Sequence, residues 1–328
     1  MTKFKKILSL IMVVVMLLAC GVGCSDSNNE DNTSNITPPL EELEGEGEYI
    51  PEITSPPIVY PFTFEDNTGH SVTLEQEPLS VVTIGPDITE IMFSIGRGIQ
   101  IEGRSEEDNY PYDVQEITSI GSVNNPDVEK IAEIDPDVVI ASDKVPADKI
   151  AEIRNKQIPT VVVKTAQSFQ EIYDTIRYIG RVLNAENAAY SYAIDLQGRV
   201  SQLLIYNGGI EKYDVCIVTE YFEETDSVAT TKDDIEKNKY CESLVETLRA
   251  QSVDIDESPY FIICVGEEIK TQIKKSQALK EVSAVKMGRV YYIDEEILDI
   301  RAPRSINALY AVAEVLGYQI DAPFTDFS

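Results

Sequence analysis

Short apolar runs alternate with amphipathic segments along most of this chain. The runs at residues 79–84, 138–141, 160–163, 215–218, 261–265 and 290–293 are rich in Val and Ile. Apolar runs of that length, separated by helical segments, predict strands buried on both faces, hence mainly parallel sheets and an α/β class. Ahead of them, PFTFEDNTGHSVTLEQE alternates at Phe62, Phe64, Val72 and Leu74 around Asn67-Thr68-Gly69, which predicts a strand, a turn and a strand.

The helical segments carry start and stop signals. Asp87-Ile88-Thr89-Glu90 reads as a capping box ahead of an Ile88, Ile91, Met92, Ile95 stripe that Gly96 and Gly98 end. Asn125-Pro126 reads as a cap followed by proline, with Val128, Ile131 and Ile134 on one face. Phe169, Ile172, Ile176, Ile179 and Leu183 keep helical spacing up to Asn184, a residue suited to a left-handed stop. Ala189, Tyr192, Leu196, Val200 and Leu203 continue the spacing in a second helix, of about 20 residues and so about 30 Å long. Three strand candidates precede this pair and three follow it. The pattern predicts two lobes, each with a mainly parallel sheet flanked by helices, joined by a single long helix. In numbers, the expected organisation is a signal segment over 1–19, an acidic tether over 20–58, an N-terminal lobe over 59–166, linking helices over 167–206 and a C-terminal lobe over 207–328.

The N-terminus changes the setting. Lys3, Lys5 and Lys6 precede an uncharged apolar stretch too short to span a bilayer comfortably. It ends in Leu17-Leu18-Ala19-Cys20, which resembles the lipobox at which bacterial lipoproteins are cleaved before a lipid-bearing cysteine. Cys20 is the expected lipidation site; Cys24, after Gly21-Val22-Gly23, is the alternative. Residues 25–57 hold Asn, Ser, Asp, Glu and Pro with few large apolar side chains, too little to offset ordering entropy. The expected location is therefore extracytoplasmic, on a lipid anchored in the cell membrane.

Charge and titratable residues narrow the chemistry. Asp and Glu total 57 against 27 Lys and Arg, which disfavours nucleic acid as a partner. His70 is the only histidine, so a His-rich zinc or manganese site is excluded. Cys216, Cys241 and Cys264 interrupt apolar or helical patterns and read as buried free thiols, with a disulfide as the alternative. The chain has no G-x-S-x-G elbow, P-loop or G-x-G-x-x-G fingerprint, and Glu106 beside Glu107 is no acid/base pair. An enzyme is disfavoured; no catalytic residue and no resident cofactor is expected.

Four pieces, in order, resemble the helical-backbone solute-binding proteins of iron-siderophore, heme and cobalamin ABC importers. They are SVVTIGPDITEIMFSIGRG, then EGRSEEDNYPYDVQEITSIGSVNNPDVEKIAEIDPDVVIAS, the long linking helix, and AVKMGRVYYIDEEILDIRAPRSINALYAVAEVLG. The resemblance implies reversible capture of a small-molecule chelate between the lobes, by a monomer that delivers it to a permease dimer driven by cytoplasmic ATPases. Loops beyond the carboxyl ends of parallel strands are where such sheets take ligands. On that basis Pro86, Asp87, Tyr110, Arg301 and Arg304 are the expected ligand-binding residues. The NYP segment with Asp108 beside it is similar to the cobalamin-binding subgroup, so a corrinoid is the expected ligand; a ferric siderophore or heme is the alternative. A surface adhesin or sensor, or an unrecognised α/β enzyme, is the alternative of another class.

The resemblance also implies one acidic docking residue on each lobe. Glu129, within NPDVEKI, matches the N-lobe position. The C-lobe counterpart is shortened to SVDIDESPYFIIC, where Asp256 or Glu257 is the candidate. The family's glycine-bearing C-lobe elements are missing from TEYFEETDSVATTKDDIEKNKYCESLVETL, a departure on the ligand side of that lobe.

Overall fold

The computed structural model describes residues 58–206, 212–233 and 235–318; the expected signal segment, the tether up to residue 57 and Cys20 lie outside the described residues. The described chain opens with a hairpin of β1 (Phe62–Glu65) and β2 (Ser71–Leu74), with Phe62 opposite Leu74. Asp66 holds its turn. One carboxylate oxygen accepts from the amides of Thr68 (2.8 Å) and His70 (3.0 Å); the other accepts from the Val162 amide (3.1 Å) and the Arg154 guanidinium (2.7 Å). His70 thus belongs to a surface turn.

In the N-lobe come β3 (Val81–Ile84), α1 (Pro86–Ser94), β4 (Ile101–Arg104), β5 (Thr118–Ser119), the paired β6 (Gly121–Ser122) and β7 (Asn125–Pro126), α2 (Val128–Ile134), β8 (Val138–Ser142), α3 (Ala147–Asn155) and β9 (Thr160–Val163). Strands β5-β4-β3-β8-β9 form one parallel sheet. Next are α4 (Phe169–Val182) and the 21-residue α5 (Glu186–Tyr206). Ser168 caps α4 by accepting from the Glu171 amide at 3.1 Å, and Glu171 reaches back to the Gln167 amide at 2.8 Å. Asn184 ends the turn in the left-handed region, at φ 50°. The two helices then pack so closely that a Cβ on Gly180 would stand 2.2 Å from the Ala189 side chain.

The C-lobe contains β10 (Asp214–Phe222), β11 (Ser227–Thr230), α6 (Ile235–Thr247), β12 (Gln251–Ser252), β13 (Phe261–Val265), α7 (Glu267–Ile273), α8 (Ser283–Lys286), β14 (Val290–Ile293), α9 (Glu295–Asp299) and α10 (Ser305–Val315). Its sheet runs β11-β10-β13-β14, with β12 also on β10; only the β10–β11 pairing is antiparallel. Cys216 and Cys264 are buried free thiols, and Cys241 is buried as well.

Each lobe has a private core on one side of its sheet. Ile84, Ile131 and Ile153 belong to the first, Cys216, Ile262 and Ile273 to the second. A third cluster is shared: it runs from Val81 and Ile140 through Ile172, Ile176, Ala189 and Leu196 to Ile217, Ile263 and Leu309. The linking helices are the middle of that core.

Two expected helix starts are corrected. Asp87 is not the cap of α1: Gly85 occupies that place at φ 135°, and Pro86 takes the first helical position, where its fixed φ suits the helix and its missing N–H costs nothing. Asn125-Pro126 lies in β7, and α2 begins after Asp127, whose side chain accepts from the Lys130 amide at 3.1 Å.

Candidate functional site

A cavity of about 420 Å³ opens at the carboxyl ends of β3, β8, β9 and β14, walled by the loops that leave them. Gly85, Pro86 and Asp87 follow β3, Ser142 ends β8 with Lys144 two residues beyond, Lys164 and Thr165 follow β9, and Glu107 and Asn109 come from the loop after β4. Glu296, Asp299, Arg301 and Arg304 supply the C-lobe wall. This is the switch-point position at which parallel α/β sheets take ligands.

Gly85 sets the N-lobe wall. Its φ of 135° is one that side-chain-bearing residues rarely adopt, and a Cβ there would meet the Ser142 Cβ at 3.0 Å. The turn leaves Asp87 and Glu90 on one face of α1. Neither folds back onto the helix start, as the capping-box reading expects; both reach the other lobe. Asp87 accepts from the Arg301 amide at 3.1 Å, and Glu90 accepts from the Arg304 amide and its Nε, each at 2.7 Å. Loss of hydration pushes the Asp87 carboxyl up, against the Arg301 amide and the charges of Lys144, Arg301 and Arg304. Burial likewise raises Glu90, although Arg304 opposes it.

The two arginines expected to meet ligand are largely engaged by protein. Arg301 is 7% exposed; its guanidinium carbon lies 3.6 Å from the Tyr240 ring centre and its Nη1 donates to the Leu298 carbonyl. Arg304 sits between the Glu90 carboxylate and the Tyr110 ring, 3.9 Å from the ring centre. Tyr110 is not among the residues that line the cavity; it supports Arg304 from behind. Pro86, Asp87, Arg301 and Arg304 do line it. Glu90, Lys144 and Lys164 were not singled out from sequence. The two lysines directly follow strand ends, the signal that would have found them.

Beneath the wall, Asp108 is 1% exposed and bonds the hydroxyls of Ser105 and Thr89. Ser105 Oγ in turn accepts from the Gly85 amide at 3.1 Å. Burial raises the Asp108 carboxyl to about 6 against those two hydroxyl bonds. Asp108 therefore buttresses the Gly85 turn from below.

Residues 81–203, the N-lobe with α4 and most of α5, match the model of the periplasmic binding protein family. Over that stretch the chain is similar to that family. The proteins it is similar to are substrate-binding components of ABC transporters of the cobalamin, siderophore and heme class, and such components are not enzymes. One relative is an uncharacterized ABC transporter substrate-binding lipoprotein of Bacillus subtilis, 26% identical over 274 residues, covering 78% of this chain and 85% of that protein. Another is a vitamin B12-binding protein of Vibrio parahaemolyticus, 21% identical over 74% of this chain and 92% of its own. In fold the chain is similar to a possible iron-binding (periplasmic solute-binding) protein of Staphylococcus epidermidis, with a TM-score of 0.65 at 22% identity over 74% of this chain and 99% of that one.

The acidic positions that the family pattern selects for docking are on the surface. The Glu129 side chain, in the first turn of α2, is 75% exposed and bonds Lys156 Nζ at 2.6 Å. Glu257 is committed to a capping box, accepting from the Asp254 amide at 2.9 Å, and lies 3.9 Å from Lys232. Asp256 is exposed on the same short turn and makes no hydrogen bond or ion pair among the described residues.

Proposed function

We propose that this chain captures a corrinoid at the interlobe cavity and hands it to its permease from a lipid anchor at Cys20. The observation that carries the ligand class is the make-up of the wall: among the described residues, no His, Cys, Met or Tyr lines the cavity. Heme bound by protein takes its axial ligand from that set. A corrinoid brings its own coordination, as a ferric siderophore does, and needs shape, amide and charge partners rather than a ligating side chain; between these two the corrinoid is preferred on the relatives. The vitamin B12-binding relative, matched over nearly its whole length, supports the same choice. The cavity takes in only part of so large a molecule, and the rest stands in the mouth between the lobes. Pro86 and Asp87 face it from the N-lobe; Arg301 and Arg304 form the seam against which it rests, and Tyr110 steadies Arg304.

The test is a titration of the purified full chain in detergent with cyanocobalamin, hemin and a ferric hydroxamate, following ligand absorbance and the melting temperature. Cyanocobalamin alone should perturb both, because a ligand that binds only the folded state raises stability. A response to hemin or to the hydroxamate in its place overturns the corrinoid reading in favour of that ligand.

Anchor and docking are tested apart from ligand. Cys20→Ser should abolish incorporation of labelled palmitate and release the protein from the membrane fraction; retained label would move the anchor elsewhere. In the docking reading Glu129 and Asp256 meet cationic pockets of the permease and steer orientation. Glu129→Arg should leave cyanocobalamin binding intact and reduce uptake, and unchanged uptake removes that role from Glu129.

A further inference from the structure

We propose that Lys144 and Lys164 form an anion subsite on the N-lobe wall, and that it receives the phosphodiester of a complete corrinoid's nucleotide loop; this rests on the corrinoid reading above.

The two lysines come from neighbouring strand ends, because Ser142 of β8 pairs with Val163 of β9. Their loops are stitched together. The Asp143 amide donates to the Val163 carbonyl at 2.9 Å, and the Asp143 carboxylate accepts from the Thr165 amide at 3.0 Å and its hydroxyl at 2.7 Å. The Lys144 amide donates to Ser142 Oγ at 3.2 Å, and the Lys164 amide to Asn67 Oδ1 at 3.0 Å. Both backbones are therefore fixed, while both side chains remain exposed and line the cavity.

Neither ammonium has an ion-pair partner among the described residues, whereas Lys149, Lys156, Lys232, Lys239 and Lys286 each have one. In a chain of formal net charge −30, two such cations lie together on one cavity wall. The nearby carboxylates accept hydrogen bonds from the protein, and Asp87 also feels the Lys144 charge without an ion-pair contact. Asp143 holds Thr165, Glu107 accepts from the Val123 amide at 3.0 Å, and Asp87 holds the Arg301 amide. Glu296 and Asp299 belong to the opposite wall. Two ammonium groups with the Ser142 hydroxyl beside them suit a compact oxyanion with two free oxygens. In a corrinoid the amide side chains are neutral, so the phosphodiester is the group with that chemistry. A carboxylate-bearing ferric chelate shares it.

The experiment titrates the full chain in detergent with cyanocobalamin, with dicyanocobinamide, which lacks the nucleotide loop and its phosphodiester, and with ferric citrate. Wild type is compared with Lys144→Gln, Lys164→Gln and the double variant, all checked for unchanged melting temperature. Each single change should weaken cyanocobalamin binding about 3- to 10-fold, more so at low salt, and the double change more than either. Cobinamide should bind all four proteins alike. Cyanocobalamin binding that ignores the double change overturns the subsite, and so does an equal loss for cobinamide. Ferric citrate binding that depends on the lysines, with no such dependence for cyanocobalamin, overturns the phosphodiester assignment. If wild type binds neither corrinoid, the functional reading itself fails, and that outcome is separate from binding that does not need the lysines.

Discussion

Glu90 and Arg304 stand 214 positions apart in the chain and are joined by two bonds of 2.7 Å, one to the Arg304 amide and one to its Nε. With the Asp87 bond to the Arg301 amide they tie the first helix of one lobe to the last cleft loop of the other. The Glu90 carboxyl is raised despite its partner, so the desolvation cost exceeds the attraction and the pair sets geometry more than it adds stability.

Removing one member alone should therefore be worse than removing both. Glu90→Gln leaves the Arg304 charge without its counterion and should lower the unfolding free energy by about 2–4 kcal/mol. Glu90→Met combined with Arg304→Met should cost less than either single change. Urea unfolding of the four proteins measures this, and additive losses would contradict it.

Asp108 gives the chain a pH signature. Its carboxyl is raised from 3.8 to about 6 in the folded protein. Between those values the native state holds a proton that the unfolded state has released, so this group's share of stability rises as pH falls from 7 towards 4. Asp66, where hydrogen bonds from Thr68, Val162 and His70 outweigh its burial, is lowered and acts the other way below its ordinary value. Asp108→Asn should remove the gain seen on moving from pH 7 to pH 5. Denaturation midpoints across that window decide it; an identical pH profile in the variant would refute the role.

The turn before α1 should tolerate no side chain. Gly85→Ala combines an unfavourable φ with a contact to Ser142 and should destabilise by about 1–3 kcal/mol. Because Gly85 sets the wall that carries Pro86 and Asp87, ligand affinity should fall further than stability does. Wild-type affinity in Gly85→Ala would show that the wall adjusts.

The three described thiols should be inert in the native protein. Burial pushes the Cys216 thiol well up and the Cys264 thiol to about 12, and Cys241 is buried as well, so the reactive thiolate is scarce. Modification by a thiol reagent should occur only on unfolding, and prompt labelling of the folded chain would contradict the packing.

The strands that buried both faces were legible because nothing else explains a run such as Thr160 to Val163. The strand Ile101–Arg104 was not, because Ile-Glu-Gly-Arg has no apolar pattern. Its Arg104 is buried to bond the carbonyls of Val114 and Ser105, work that a surface charge would not announce. β10 was read only to Val218, since its hairpin half carries Glu220 beside Tyr221. At the site, helix logic assigned Asp87 and Glu90 to a cap. Only the position of a loop 214 residues away shows that they serve the seam. Tyr110 is an expected ligand-binding residue whose ring packs against Arg304 instead, a contact that sequence spacing does not announce.

The shared core sets a limit on how this receptor can work. Swinging the lobes apart would bring Ala189, Ala193, Leu196 and their neighbours into water, a cost that grows with every square ångström uncovered. Opening the cavity by that route is therefore opposed by the same packing that joins the lobes, and in the function proposed above a partner's contact energy would have to offset it.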